Sequence, residues 1–93
     1  MTAPRGFFVS FEGIDGAGKS TQVAALAAAL RADGVDAVTV RPTDTQLGEL
    51  VRSFVLQHHT AAAVEPWAEA LLFVAGRAQL LHEVIRPALD RGA

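Results

Sequence analysis

The feature that most constrains the fold is a glycine-rich segment lying between an apolar run and a helical pattern. Residues 6–12 form a short apolar run rich in phenylalanine, which is typical of a buried strand in a parallel sheet. A glycine loop follows at 13–18. From Lys19 to about Ala32 apolar residues recur at helical spacing, namely at Val23, Leu26, Ala27 and Leu30. Strand, glycine loop and helix in this order predict the first unit of an open α/β fold.

The glycine loop has the spacing G-x-x-x-x-G-K-S, with Gly13, Gly18, Lys19 and Ser20 at the defined positions. Glycines allow successive backbone N–H groups to turn inward around a phosphate, and the helix that follows adds its positive end. The lysine reaches the terminal phosphates, and the serine hydroxyl is a ligand for Mg²⁺. The pattern therefore predicts a P-loop that binds ATP and Mg²⁺, the alternative being a glycine-rich turn without a ligand. The predicted nucleotide-binding residues are Gly13, Ile14, Asp15, Gly16, Ala17, Gly18, Lys19, Ser20 and Thr21, with Ser20 as the metal ligand.

A second strand and a second helix are predicted next. Residues 35–40 alternate in part between apolar and polar side chains, as in a strand. Pro42 marks a loop at 41–44, and Thr45 is a suitable N-cap for a helix reaching about Gln57. This helix carries an apolar stripe of Leu47, Leu50, Val51, Phe54 and Val55.

A long third helix is predicted from Pro66, which suits the first helical position, after a connector at 58–64 without periodicity. Pro87 is expected to kink or end this helix, and Gly34 and Gly92 supply stop signals. The expected fold class is α/β, a P-loop NTPase-type parallel sheet with flanking helices in the order strand-helix-strand-helix-helix. Two strands make too small a sheet, so we expect residues 1–93 to be the N-terminal part of one domain whose lid and C-terminal strands are absent.

Composition excludes several classes of protein. The chain has 93 residues, of which 51% are hydrophobic, and a formal net charge of -2. These values are typical of a soluble globular domain and argue against a duplex nucleic-acid partner, which would require a basic face. No run approaches the ~20 apolar residues that span a bilayer. The absence of cysteine excludes disulfides and fits a cytoplasmic location.

Three segments resemble the thymidylate kinase family of nucleoside-monophosphate kinases. Residues 11–22 closely resemble the family's P-loop, and 45–49 resemble the T-x-L-G-E that follows its proline-containing loop. Residues 69–79, continuing to 84–89, resemble its long substrate-binding helix. The resemblance implies transfer of the γ-phosphoryl group of ATP to dTMP, giving dTDP. It also implies a small-molecule substrate, while the composition predicts no nucleic-acid or membrane partner. The family commonly forms homodimers, and the apolar stripes could serve a core or an interface equally.

The resemblance also implies roles for individual residues. Lys19 and Asp15 would act in catalysis, with Asp15 touching the sugar hydroxyl of the monophosphate. Phe73 would stack on thymine and Arg77 would hydrogen-bond the edge of the base, while Arg41 and Pro42 would line the acceptor-phosphate loop. Considered singly, Phe73 is more typical of a core residue, Arg77 of a surface charge and Asp15 of a loop residue that favours a helix N-terminus.

Some positions depart from the family pattern. Gly16 stands where some members place a catalytic arginine, so this chain resembles the group whose arginine comes from a lid. Val40 and Arg41 replace the usual arginine and its neighbour before the proline. Gly76 lies inside a helix, where close contact would explain a glycine. Two alternatives stay open: another small P-loop kinase, or a nucleotide-binding fragment without activity of its own.

Overall fold

A computed structural model describes residues 5–14, 16–57 and 64–93. The chain divides into two compact units: a first unit of Met1–Thr39 with Pro87–Ala93, and a second unit of Val40–Arg86. All regular structure in the described ranges is helical. The helices are α1 (Lys19–Ala32), α2 (Gln46–Gln57), α3 (Pro66–Leu80) and α4 (Arg86–Asp90), with a 3₁₀ turn at Pro42–Asp44 and a π-helical turn at Leu81–Ile85.

Helix α1 confirms the predicted helix and its stop signal in the first unit. It begins at Lys19 and ends at Ala32, and Gly34 follows with a φ of 80°. The N–H groups of Gly34 and Val35 donate to the carbonyls of Arg31 and Leu30, each over 3.0 Å. This pairing satisfies the last carbonyls of the helix and turns the chain out of it.

The predicted parallel sheet with flanking helices is wrong, because neither predicted strand forms in the described residues. A strand exists only when its backbone groups pair with a neighbouring strand, and two short strands would make a marginal sheet. Around 35–40 a side chain provides a competing bond, since the Arg31 guanidinium donates to the Ala37 carbonyl at 2.8 and 3.0 Å. In the segment 6–12, the Gly6 N–H donates instead to the Leu89 carbonyl over 2.9 Å. Phe7 is accordingly 92% exposed.

In the second unit, α2 packs against α3, and the 3₁₀ turn contacts both helices. Thr45 caps α2 as predicted, because its hydroxyl accepts a hydrogen bond of 2.9 Å from the Gly48 N–H. Pro66 is the first residue of α3, also as predicted, and the preceding Glu65 carboxylate accepts from the Ala68 N–H over 3.0 Å. Residues 58–63 of the predicted connector lie outside the described ranges.

Pro87 does not end the third helix, which continues through the π-helical turn into α4. The Arg86 N–H bonds the Leu81 carbonyl five residues earlier, so the extra residue of a π turn lies directly before the proline, whose nitrogen cannot donate. The stop at Gly92 is confirmed, with a φ of 88° and an N–H bond to the Leu89 carbonyl. None of the described helices has the length and apolar character needed to cross a membrane.

Among the described residues, each unit has few buried apolar side chains. In the first unit Ala27 and Ala88 are buried, and in the second Val51, Leu80 and Ile85 are buried. Of the predicted α2 stripe only Val51 is buried; Leu47, Leu50 and Phe54 stay exposed on the helix surface.

Candidate functional site

The phosphate loop is shaped by glycines that take a left-handed backbone conformation. Gly16 and Gly18 have φ values of 83° and 88°, which side chains other than glycine rarely adopt. The Ala17 N–H donates to the Ile14 carbonyl over 3.1 Å, closing a turn, and the Gln22 N–H donates to the Gly18 carbonyl as the first bond of α1. The loop therefore turns tightly and leads directly into the helix.

The start of α1 presents backbone N–H groups of the kind that bind anions in proteins. Among the described residues no side chain caps this end of the helix, and its first turn contains no acid. The first N–H groups of a helix have no partner within it, and they carry the positive end of the helix dipole. The N–H groups of Lys19, Ser20 and Thr21 therefore suit a phosphate.

Lys19 folds back across the phosphate loop. Its Nζ donates to the Gly13 carbonyl, and a β-carbon built on Gly13 would lie 3.5 Å from the Cγ and Cδ of Lys19. Lys19 is half-buried and Ser20 is exposed. The loop thus holds one positive charge and one hydroxyl at the uncapped helix start, while Asp15 lies outside the described residues.

Apart from Asp15, the residues assigned to the acceptor nucleotide fall in the second unit. Arg41 directly precedes the 3₁₀ turn that begins at Pro42, and this turn contacts α3. Phe73 and Arg77 are one helical turn apart on α3, so they share a face of that helix. Phe73 is 42% exposed, which leaves part of its ring available for stacking. The structure thus brings the predicted acceptor loop and base-binding helix into one unit.

A polar cavity beside this turn was not found from the sequence. It has a volume of about 320 Å³ and is lined by Thr43, Glu49, Arg52, Ser53 and Leu56. Its polar side chains Glu49, Arg52 and Ser53 lie outside the apolar stripe from which α2 is predicted. Their spacing of three and four residues was the available signal.

Two features bear on the electrostatics and metal chemistry of the chain. The hydrogen bond from the Arg91 guanidinium lowers the pKa of Asp36 and raises that of Arg91; this pair lies in the first unit, apart from the phosphate loop in sequence. In the described part of the chain no three His, Cys, Asp or Glu side chains gather as a metal site.

Comparison with known proteins identifies the family. The sequence model of the thymidylate kinase family matches residues 11–93. The chain is 53% identical over 90 residues to thymidylate kinase of Bifidobacterium longum strain DJO10A, covering 94% of this chain and 44% of the relative. It is also 53% identical over 90 residues to thymidylate kinase of Deinococcus radiodurans, covering 95% of this chain and 42% of the relative.

The similarity extends to an archaeal relative. Probable thymidylate kinase of Pyrococcus abyssi is 46% identical over 91 residues, covering 95% of this chain and 44% of the relative. This chain thus spans less than half the length of the curated relatives it matches. No solved structure gives a significant match. On the family match and these identities, the chain belongs to the thymidylate kinase family.

Proposed function

We propose that this chain is the nucleotide-binding part of an enzyme that transfers the γ-phosphoryl group of ATP to dTMP, giving dTDP. The curated relatives named above carry the name thymidylate kinase, and the match to this chain includes its phosphate loop. The observation that supports the proposal most strongly is the uncapped start of α1, preceded by two left-handed glycines and crossed by Lys19.

This arrangement suits phosphoryl transfer because the reaction needs positioning and charge neutralisation more than covalent chemistry. The backbone N–H groups at the start of α1 would hold the β-phosphate. Lys19 Nζ would exchange its neutral carbonyl partner for phosphate oxygens, with which a charge-assisted hydrogen bond is stronger. Transition-state charge on the transferred group would then face a fixed positive charge.

The residues present also fit Mg²⁺ bound together with ATP. Mg²⁺ in such sites is held by one or two protein oxygens, substrate phosphates and water, which agrees with an exposed hydroxyl at Ser20 and no acidic cluster in the described ranges. When bound, such an ion would supply positive charge that offsets the charge of the phosphates. Ser20 would supply the protein ligand from the first turn of α1.

The acceptor would bind through the second unit. Arg41 and Pro42 would line the phosphate end of dTMP, with the guanidinium matching phosphate oxygens. Phe73 would stack on the base and Arg77 would bond its edge. Asp15, from the phosphate loop, would contact the sugar hydroxyl. We also propose that the protein forms a homodimer and is located in the cytoplasm. Analytical ultracentrifugation of the purified protein tests the homodimer.

Replacing Lys19 tests the proposed role of the phosphate loop in catalysis. In the full natural chain that carries this sequence, we expect Lys19→Ala to lower kcat at least about 100-fold, because a preorganised charge at the transferring phosphoryl is lost. Lys19→Arg should stay impaired, since a planar guanidinium does not replace a compact ammonium. ADP formation with ATP and dTMP is the measurement, and circular dichroism checks the fold.

Arg5→Ala is the matched control, because it removes an exposed positive charge from the same unit without touching the loop. It should retain wild-type kcat. Wild-type turnover in Lys19→Ala would refute the proposed role of the loop.

A further inference from the structure

Gly48, in the first turn of α2, lies buried against the turn that follows Arg41. A β-carbon built on Gly48 would overlap the Pro42 carbonyl oxygen and would lie 3.1 Å from the Thr45 hydroxyl oxygen. A carbonyl oxygen of the main chain cannot move aside as a flexible side chain can. Only a residue without a side chain therefore lets α2 approach the turn this closely.

The turn itself is closed by two hydrogen bonds. The Asp44 N–H donates to the Arg41 carbonyl over 3.0 Å, and the Asp44 carboxylate accepts from the Arg41 N–H over 2.8 Å. These bonds join the first and last residues of the segment. A contact that fixes the position of Pro42 therefore also fixes the backbone position of Arg41.

Thr45 ties Gly48 to the end of this turn. The threonine is only 3% exposed, and its hydroxyl accepts the Gly48 N–H over 2.9 Å. Leaving a buried N–H without a partner would lower the stability of the fold. The bond therefore fixes the first turn of α2 against the end of the 3₁₀ turn.

On its other side Gly48 faces α3. A β-carbon built on Gly76 would lie 3.6 Å from the Gly48 Cα, so the two helices cross at these glycines. Gly76 directly precedes Arg77 and follows Phe73 by three residues. The crossing point is thus on the turn of α3 that carries both residues assigned to the base.

We propose that Gly48 is a positioning residue that sets the spacing between the acceptor-phosphate loop and the base-binding turn of α3. This inference rests on the proposed function and adds a residue that touches no substrate. A nucleoside monophosphate holds its phosphate and base at a limited range of separations. A shift of Arg41 relative to Phe73 and Arg77 would therefore weaken binding of the acceptor.

Gly48→Ala in the full natural chain is the test. The added methyl displaces Pro42, and we expect KM for dTMP to rise by about 10-fold to 100-fold. KM for ATP should stay within about twofold, because the phosphate loop lies in the first unit. Steady-state kinetics with each substrate varied in turn measure this difference.

Gly34→Ala controls for general loss of stability. Gly34 has a φ of 80° and open space around its Cα, so this variant is destabilised by backbone strain far from the acceptor loop in sequence. It should keep both KM values. An equal rise in KM for dTMP in Gly34→Ala and Gly48→Ala would overturn the proposal.

Thr45→Val gives a second approach if Gly48→Ala does not fold. It keeps the volume of the side chain and removes the acceptor for the Gly48 N–H, so KM for dTMP should again rise while KM for ATP does not. Thr45→Ser restores the hydroxyl and should restore KM for dTMP. An unchanged KM for dTMP in Thr45→Val overturns the inference.

The outcomes separate this inference from the proposed function. If the wild-type protein phosphorylates dTMP and the Gly48→Ala and Thr45→Val variants retain its KM for dTMP, only the positioning role is overturned. A wild-type protein with no transfer to dTMP overturns the proposed function and the positioning role together.

Discussion

At the scale of single residues, glycine is required at different positions of this chain for different structural reasons. Gly16 and Gly18 supply left-handed backbone in the phosphate loop, and the motif spacing predicted the loop that contains them. Gly48 allows α2 to lie close to the turn at Pro42–Asp44. At Gly76 a β-carbon would meet the Gly48 Cα at 3.6 Å, an ordinary contact distance, so the expectation that close contact explains this glycine is not confirmed. The partner across that contact could not be predicted, because it lies far away in sequence and follows no local pattern.

Alanine substitutions at Gly34 and Gly76 should change stability in opposite directions. Gly34→Ala places a side chain in a left-handed conformation and should lower the free energy of unfolding by about 1 kcal/mol. Gly76→Ala puts a β-carbon 3.6 Å from the Gly48 Cα, an ordinary contact distance, and should raise it by about 0.5–1 kcal/mol through helix propensity. Urea unfolding of both variants measures this, and a loss of stability in Gly76→Ala would contradict the described crossing.

At the scale of elements, helices were predictable and strands were not. Helix start and stop signals, here Thr45, Pro66 and Gly34, act through bonds and backbone angles within one helical turn. The bounds of α1 and α2 and the start of α3 therefore follow from the sequence. A strand instead depends on a neighbouring strand, and the segment at 35–40 is bonded by side chains. Arg31 binds the Ala37 carbonyl, and Arg91 pairs with Asp36 over 2.9 Å. Side-chain bonds of this kind cannot be predicted from apolar alternation.

The Asp36–Arg91 pair should make a small, pH-dependent contribution to stability. The hydrogen bond from Arg91 lowers the pKa of Asp36 in the folded chain, so the stabilisation is present above the unfolded pKa of about 3.9 and is lost as pH falls through the folded pKa. Both side chains are 54% exposed, which limits the effect through solvent screening.

Asp36→Asn should therefore unfold at a slightly lower temperature than wild type near neutral pH, and the difference should vanish in acid. Thermal unfolding followed by circular dichroism over a pH series is the measurement. Asp33→Asn, at an exposed acid of the same segment, is the matched control and should show no such difference. A difference between Asp36→Asn and wild type that persists unchanged into acid would contradict the role of the ion pair.

At the scale of the whole molecule, the family could be predicted from sequence while the sheet could not. Three separated segments carried the resemblance, and the family match over residues 11–93 confirms it. The expected α/β sheet is wrong for the described residues, which are helical. The phosphate loop lies in the first unit, and the predicted acceptor residues other than Asp15 lie in the second. The described residues of each part of the predicted site lie within one unit, and their roles stay predictions.

The most direct test of the central claim is the acceptor preference of the full natural chain. ADP formation from ATP and Mg²⁺ is measured with dTMP, dUMP, dCMP, dGMP and AMP, each varied over the same concentration range. We predict the highest kcat/KM for dTMP, because in the proposed function Phe73 and Arg77 would recognise the base while Arg41 would hold the phosphate. A higher kcat/KM for any other acceptor, or no transfer to any of them, would contradict the assignment.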